Sequence, residues 1–250
     1  MFIILLKKVF FLFKKGYVEI RRILAESMGV KKYSRLALNN LDTKLEKYLD
    51  FENGFFIEAG ANDGVTQSNT YYLEKINHWK GVLIEGIPEK YQACKRARKQ
   101  SLVYNCALVE PSFPNNYIEM HYANLMSAVS DSMKAPHLLK KHIETGLSVQ
   151  NIKTSYRVLV PARTLESVLD EIKDLPNIDF FSLDVEGYEL QVLKGLNIEK
   201  YRPTYILVES RFYDEVYDLL KEKYELIEKL SEHDYLFRIQ SWVKVENTVS

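Results

Sequence analysis

Short apolar runs alternate with amphipathic stretches along most of this chain. Phe55-Phe56-Ile57 is a compact apolar run leading into Glu58-Ala59-Gly60, the pattern of a buried strand entering a glycine turn. Ser68-Asn69-Thr70 then predicts a helix start ahead of Tyr71-Tyr72-Leu73 and Ile76. Residues 81–84 predict a second strand that ends at Glu85, and Pro88 opens a helix reaching about Arg98. Residues 102–108 predict a third strand. Further strands are predicted over 157–160, 178–183 and 205–208, the last two ending at Asp184 and Glu209. Helices are predicted after Thr164, over 187–196 and over 214–223. Residues 224–229 and 235–239 flank a short Ser-Glu-His-Asp turn and predict an antiparallel hairpin. Residues 109–156 break this rhythm, with three prolines, a strand-like stretch at 117–122 and a helical stretch around 138–144. Strands alternating with helices imply a mostly parallel, doubly wound α/β sheet with right-handed crossovers and an antiparallel strand added by the hairpin. Ligands of such a sheet sit beyond the carboxyl ends of its strands.

The first fifty residues read differently. Residues 1–15 hold two apolar runs, split by Lys7-Lys8 and closed by Lys14-Lys15. Neither run approaches the roughly 20 apolar residues of a spanning helix, and a secretory signal would begin positively and have an unbroken apolar centre. A lysine-flanked helix lying in a membrane interface is one expectation; an extra helix packed on the domain is the other. Leu36, Leu38, Leu41, Leu45, Tyr48 and Leu49 recur at two- to four-residue spacings, predicting a lead-in helix within 16–50. The expected organisation is a lead segment over 1–50, one domain over 51–240 and a tail over 241–250.

Composition narrows the function classes. At 250 residues, 46% hydrophobic and 27% charged, the chain has the profile of one globular domain. Lys+Arg and Asp+Glu both number 34, which argues against nucleic acid as a partner. Seventeen tyrosines suit amphipathic surfaces and polar pockets without singling out one. Cys94 and Cys106 can form no disulfide framework and no thiolate zinc site, and they suit a reducing, cytoplasmic setting, with the inner face of the membrane as a place of contact.

Candidate chemistry gathers at the predicted strand ends. The turn Glu58-Ala59-Gly60-Ala61-Asn62-Asp63-Gly64 has neither the Gly-x-Gly-x-x-Gly of dinucleotide sites nor a Gly-Lys-Ser/Thr phosphate loop. Its acidic rim favours a cationic or hydroxyl-rich ligand. Glu85, 21 positions after Gly64, stands where an acid in nucleotide-binding α/β folds accepts hydrogen bonds from ribose. Together they suggest an adenosine ligand without a pyrophosphate, and S-adenosylmethionine fits. Asp184 and Glu186 are expected on one side of an extended strand end, where they would orient an acceptor, act as a base or hold a divalent metal with Glu209. Acids also gather at helix starts because of the helix dipole, and a metal is not required by the pattern.

The segments FIEAGANDGVTQSNTYYLE (56–74), WKGVLIEGIPEKY (79–91) and IDFFSLDVEGYELQVLKGL (178–196) resemble the FkbM-type methyltransferases. The resemblance covers about residues 42 to 240 and implies the class I Rossmann-like methyltransferase fold, S-adenosylmethionine as cofactor and O-methylation of a small-molecule or glycan hydroxyl. It implies that Glu58, Gly60, Asn62 and Gly64 line the methionine end and that Glu85 meets the ribose. Asn105 or Ala107 would approach the adenine, and Asp184 and Glu186 the methyl group and acceptor. The chain departs from the family pattern at Gly86-Ile87-Pro88 after the acid, and at Ser182 where lysine is common. His121, in the irregular segment, is a third catalytic candidate beside Asp184 and Glu186, or simply a surface-strand residue. Ser127 and Ser130 are possible cofactor contacts, whereas His78, His137, His142 and His233 read as structural or solvated. Two other classes remain open at this point: a nicotinamide-dependent oxidoreductase, and a non-catalytic membrane-surface protein that keeps the fold. The oligomeric state is left open.

Overall fold

The computed structural model describes residues 16–240, so the expected interfacial segment 1–15 and the tail 241–250 lie outside the described residues. The chain is helical over 16–27 (α1) and again in α2 (Leu41–Leu49). The single lead-in helix expected in this region is therefore two, because the chain leaves α1 at Gly29, φ +72°, and Asn39 and Asn40 take left-handed backbone angles just ahead of α2. There follow β1 (Phe55–Ala59), α3 (Tyr71–Ile76), β2 (Lys80–Ile84), α4 (Pro88–Ala97), β3 (Leu102–Tyr104), β4 (Ala107–Leu108), β5 (Tyr117–His121) and β6 (Ala128–Val129). Next come α5 (Pro136–Val149), β7 (Arg157–Arg163), α6 (Leu165–Leu169), β8 (Phe180–Leu183), α7 (Glu189–Lys194) and α8 (Ile198–Tyr201). The described chain closes with β9 (Tyr205–Glu209), α9 (Tyr213–Leu220), β10 (Tyr224–Lys229) and β11 (Asp234–Ile239).

Seven strands form the main sheet in the order β10-β11-β9-β8-β1-β2-β3. The β3, β2, β1, β8 and β9 ladders are all parallel, and the hairpin strand β11 pairs antiparallel with β9. This is the doubly wound, mostly parallel sheet with a closing antiparallel hairpin expected from the alternation of elements.

Strand alternation sorts the core into two layers. Ile57, Val82, Ile84, Phe181, Leu183 and Val208 point to one face, packed against α6, α7 and α9. Phe56, Leu83, Phe180, Leu207 and Leu236 point to the other, against Leu41, Leu45 and Leu49 of α2, Leu73 of α3 and Cys94 of α4. The four-residue spacing of those α2 leucines makes a single apolar stripe. Fully burying an aliphatic or aromatic side chain contributes roughly 1.5–3 kcal/mol, so these two layers hold the strand ends, and hence the site, in place.

Three expectations need correction. The strand expected over 102–108 is broken: the Asn105 side-chain amide donates to the carbonyls of Glu85 and Gly86, both at 2.8 Å, and the chain turns off the sheet. Its second half, β4, joins a separate four-stranded sheet, β4-β7-β5-β6. The segment expected to be irregular, 109–156, supplies that sheet's β5 and β6 together with α5, which is longer than expected because Leu139, His142, Ile143 and Gly146 form one buried face. The helix expected over 187–196 is only Glu189–Lys194, because Glu186 and Gly187 take left-handed backbone angles ahead of it.

Candidate active site

The turns after β1, β2, β8 and β9 open onto one cavity of about 430 Å³. Two of these turns are locked together. Asp184 N–H donates to the Ala59 carbonyl at 3.1 Å, and Gly60 N–H donates to the Ile84 carbonyl at 3.0 Å. Gly60 has φ +86°, and a Cβ there would lie 1.7 Å from the Asp184 carbonyl oxygen. Only glycine permits that approach.

Glu85 lies buried at the end of β2 and lines the cavity. Its carboxylate accepts from the backbone N–H groups of Asn62 and Ile87, both at 2.7 Å. Burial pushes its pKa up to about 7. Each carboxylate oxygen keeps a further lone pair, so the residue can accept hydroxyl hydrogen bonds while holding the turn.

Glu58 is on the face of β1 that meets α3 and α4, and this decides its partners. Its carboxylate accepts from Ser68 Oγ (3.0 Å), Thr70 Oγ1 (2.6 Å) and Asn69 N–H (3.2 Å). Burial raises its pKa, opposed by Arg98 3.6 Å away. Arg98, at the end of α4, is wholly buried. It donates to Glu74 (2.8 Å), Ser68 Oγ (3.1 Å), Thr70 Oγ1 (2.8 Å) and the Gly64 carbonyl (3.0 Å). Glu58 thus lines the cavity but spends its charge on the 66–70 loop, and Arg98 clamps that loop from behind. Ser68 Oγ also accepts from Tyr71 N–H at 3.1 Å, capping α3. Ser182, on the same face as Glu58, accepts from the Asn69 amide at 3.0 Å.

At the ends of β8 and β9, Asp184, Glu186 and Glu209 share the cavity wall. Asp184 and Glu186 are not related as i and i+2 of a strand: β8 ends at Leu183 and Glu186 has φ +56°. The turn, not strand alternation, brings them together. The Asp184 carboxyl donates a hydrogen bond to Glu209, and burial, then Glu209 and Glu186, hold its pKa well above the carboxylate range. Burial and Glu209 push Glu186 to about 8, opposed by Arg211. Arg211 Nη2 and His142 Nε2 lie 3.8 and 3.4 Å from Glu186 Oε2. His142 Nε2 is also 3.1 Å from the Met126 carbonyl. Burial and Arg211 lower its pKa, leaving a neutral imidazole. Among the described residues, no group of three or more His, Cys, Asp or Glu is spaced to hold a metal ion.

Glu58, Gly60, Asn62, Glu85, Ala107, Asp184, Glu186 and Glu209 therefore meet at one cavity. Gly64, Asn105 and His121 do not reach its wall. Gly64 backs onto Arg98 and Cys94. Asn105 spends its amide on the turn after β2. His121 alternates with the inward Met120 on β5, so it faces outward, 3.7 Å from Glu119. Ser127 lines the cavity, with its hydroxyl bonded to Ala123 N–H and the Asn124 carbonyl, whereas Ser130 donates to Glu119. Sequence reasoning missed Arg98, His142 and Arg211. Each acts through a residue far from it in the chain, and no local pattern marks it.

The donor set fits S-adenosylmethionine. The buried side-chain oxygens of Asn62 and Asn69, both in the cavity wall, have no hydrogen-bond partner. Such orphaned acceptors suit a ligand ammonium. With the cofactor bound here, Glu85 would meet the ribose hydroxyls and Ala107 beside Cys106 would offer an apolar wall to the base.

The Methyltransferase FkbM domain matches residues 58–237. No curated protein matches the chain. Solved structures similar to it include a TehB-like SAM-dependent methyltransferase from Corynebacterium glutamicum, at 10% identity and TM-score 0.41, covering 90% of this chain and 97% of that one. A second is the precorrin-6y C5,15-methyltransferase from Geobacter metallireducens, at 8% identity and TM-score 0.40, covering 85% and 97%. A third is M. capricolum TrmK in complex with S-adenosyl-homocysteine, at 9% identity and TM-score 0.36, covering 78% of this chain and 66% of that one. These likenesses are distant, so the fold rests on the chain's own strand order and the family on the match over 58–237. That match sets aside the oxidoreductase reading: the chain belongs to the FkbM methyltransferase family and is an S-adenosylmethionine-dependent methyltransferase.

Proposed function

We propose that the enzyme methylates a hydroxyl group, on a sugar of a glycan or a glycolipid precursor. The carboxyl cluster carries this reading. An alcohol must lose a proton as it attacks, and a catalytic base works best with a pKa near the working pH. Glu186, at about 8, is so tuned. Asp184 holds a proton against Glu209 and so leaves Glu186 as the group to accept the acceptor's proton. The cofactor supplies an electrophilic methyl group on a sulfonium. The protein's part is alignment, because a fixed geometry replaces an improbable encounter.

The rest of the wall suits a polyhydroxylated acceptor. Gln67 supplies an amide and Arg211 a cation. A cytoplasmic setting, where such precursors meet the cofactor, agrees with the free, buried thiols of Cys94 and Cys106. The test is incubation with methyl-labelled S-adenosylmethionine and fractionated glycans and glycolipids, with the product located by mass spectrometry. A methyl ether on a sugar oxygen is the expected product. Label found on nitrogen or carbon, or no transfer to any fraction, overturns the reading.

A further inference from the structure

Helix α1 is apolar on the side turned away from the protein. Its docked side is formed by Ala25, which is buried, by Arg22 over the Tyr71 ring and by Glu26. Glu26 accepts from Ser34 Oγ at 3.0 Å and Tyr71 O–H at 3.2 Å. The opposite side carries Tyr17, Ile20 and Leu24, with Met28 just past the helix end, at steps of three, four and four residues that form one stripe. These four are 65, 60, 58 and 77% exposed, and Ile23 beside them is exposed too. Water is a poor partner for such a stripe, and monomeric soluble domains rarely present one of this length.

Charge identifies the occupant. The chain as a whole is neutral, but residues 1–33 hold eight Lys or Arg against two Glu. Among the described ones, Lys31 and Lys32 are exposed directly after the stripe, and Arg21 flanks it. Apolar side chains bordered by cations match an anionic lipid interface, where the first enter the acyl boundary and the second meet the headgroups. No described helix is long and apolar enough to cross a membrane.

The segment leaving α1 leads directly to the cavity. Ala37 bridges to Gln67, and Leu38 lines the cavity wall. Leu38 and Val149, both in the cavity wall, are exposed apolar residues. We propose that the outward face of α1 seats the enzyme on an anionic membrane surface and that the acceptor is presented there on an apolar anchor. The second half rests on the hydroxyl-acceptor reading above; the first does not.

The test is flotation of the full chain with vesicles of phosphatidylglycerol and phosphatidylcholine, or of phosphatidylcholine alone. Wild-type protein and an Ile20→Glu/Leu24→Glu double variant are compared, with calorimetric cofactor binding as the measure of intact fold. The expected result is binding to anionic vesicles at least tenfold above neutral ones, lost at least tenfold in the variant, while cofactor affinity is unchanged. Equal flotation of the two proteins, equal binding to both vesicles, or no binding overturns the docking. So does a wild-type dimer that the double variant dissociates without any vesicle binding, because the face would then cover a second copy. Methyl transfer to a soluble acceptor, read in parallel, separates the two ideas. Its absence with flotation intact, when a lipid-anchored hydroxyl acceptor also stays unmethylated, counts against the hydroxyl-acceptor reading, and a wild-type chain that does not float while transfer is intact counts against the docking alone.

Discussion

Gly60 and Asp184 touch backbone to backbone, so the turn after the first strand and the turn after the eighth form one unit. The approach is so close that a Cβ on Gly60 would lie 1.7 Å from the Asp184 carbonyl oxygen. Gly60→Ala has to move one turn away from the other and also hold an alanine in the left-handed region. Left-handed strain of roughly 1–2 kcal/mol and overpacking of roughly 1–3 kcal/mol predict a loss of about 2–5 kcal/mol. Urea unfolding measures that loss, and calorimetry should show cofactor binding abolished. A variant of native stability would show that the two turns are independent.

Arg98 is the cation that keeps two buried acids in place behind the cavity. Arg98→Met leaves Glu58 without its charge partner and Glu74 with Lys75 alone, 2.9 Å away, and breaking a buried pair in this way costs roughly 3–5 kcal/mol. Cofactor affinity should fall as well, because the 66–70 loop loses its clamp. Adding Glu74→Leu should restore part of the stability, by removing the acid that the first change stranded. If Arg98→Met unfolds at the wild-type urea concentration, the clamp carries no stability.

Glu85 and Glu186 are expected to separate binding from chemistry. Glu85→Ala removes an acceptor of charge-assisted hydrogen bonds worth about 1.5–3 kcal/mol, or about 10- to 150-fold in cofactor affinity. Glu186→Gln should leave that affinity nearly unchanged and lower kcat roughly 10²- to 10⁴-fold. In the wild type, kcat should rise with pH through about 8 as Glu186 loses its proton, and this limb should vanish in the variant. A Glu186→Gln enzyme that keeps both its rate and the limb rules the residue out as the base.

The crowding of acids also sets the sign of the pH dependence of stability. Glu85, Glu186 and Glu189 have pKa values raised to about 7, 8 and 7 by burial, against an ordinary value of 4.5. Between those limits the folded state holds protons that the unfolded state has released. Stability from these groups is complete below pH 4.5 and is lost as pH rises through about 8. The cofactor-free protein should therefore melt at a higher temperature near about pH 5.5 than near about pH 8.5. Ionised Glu85 is the stronger acceptor for ribose hydroxyls, so cofactor affinity should rise as pH passes about 7. Thermal melts with and without cofactor check both trends, and a melting temperature that rises with pH in the free protein contradicts the first.

Much of this architecture is legible in the residue pattern. Apolar runs ending in Glu58, Glu85, Asp184 and Glu209 locate four strand ends, because strand burial and turn chemistry are written into neighbouring residues. The same local reading fails where a side chain chooses a distant partner. Asn105 looks like one more residue of a strand, but its amide bonds the turn after β2 and divides that strand in two. His121 and His142 lie in one segment, and the pattern favours the first. The fold turns His121 outward on β5 and carries His142, on a longer α5 than the pattern suggests, to within 3.4 Å of Glu186.

The sequence by itself determined the alternation of elements, the acids at the strand ends and the family, since each is a matter of spacing along the chain. Only the tertiary structure decided what those acids do. Layer packing gave Glu58 to Arg98 and the 66–70 loop, and a left-handed turn brought Glu186 beside Asp184 and Arg211. The physical reason is that strand periodicity sets which face a side chain takes, whereas its partner depends on which elements pack on that face, and those elements come from distant parts of the chain.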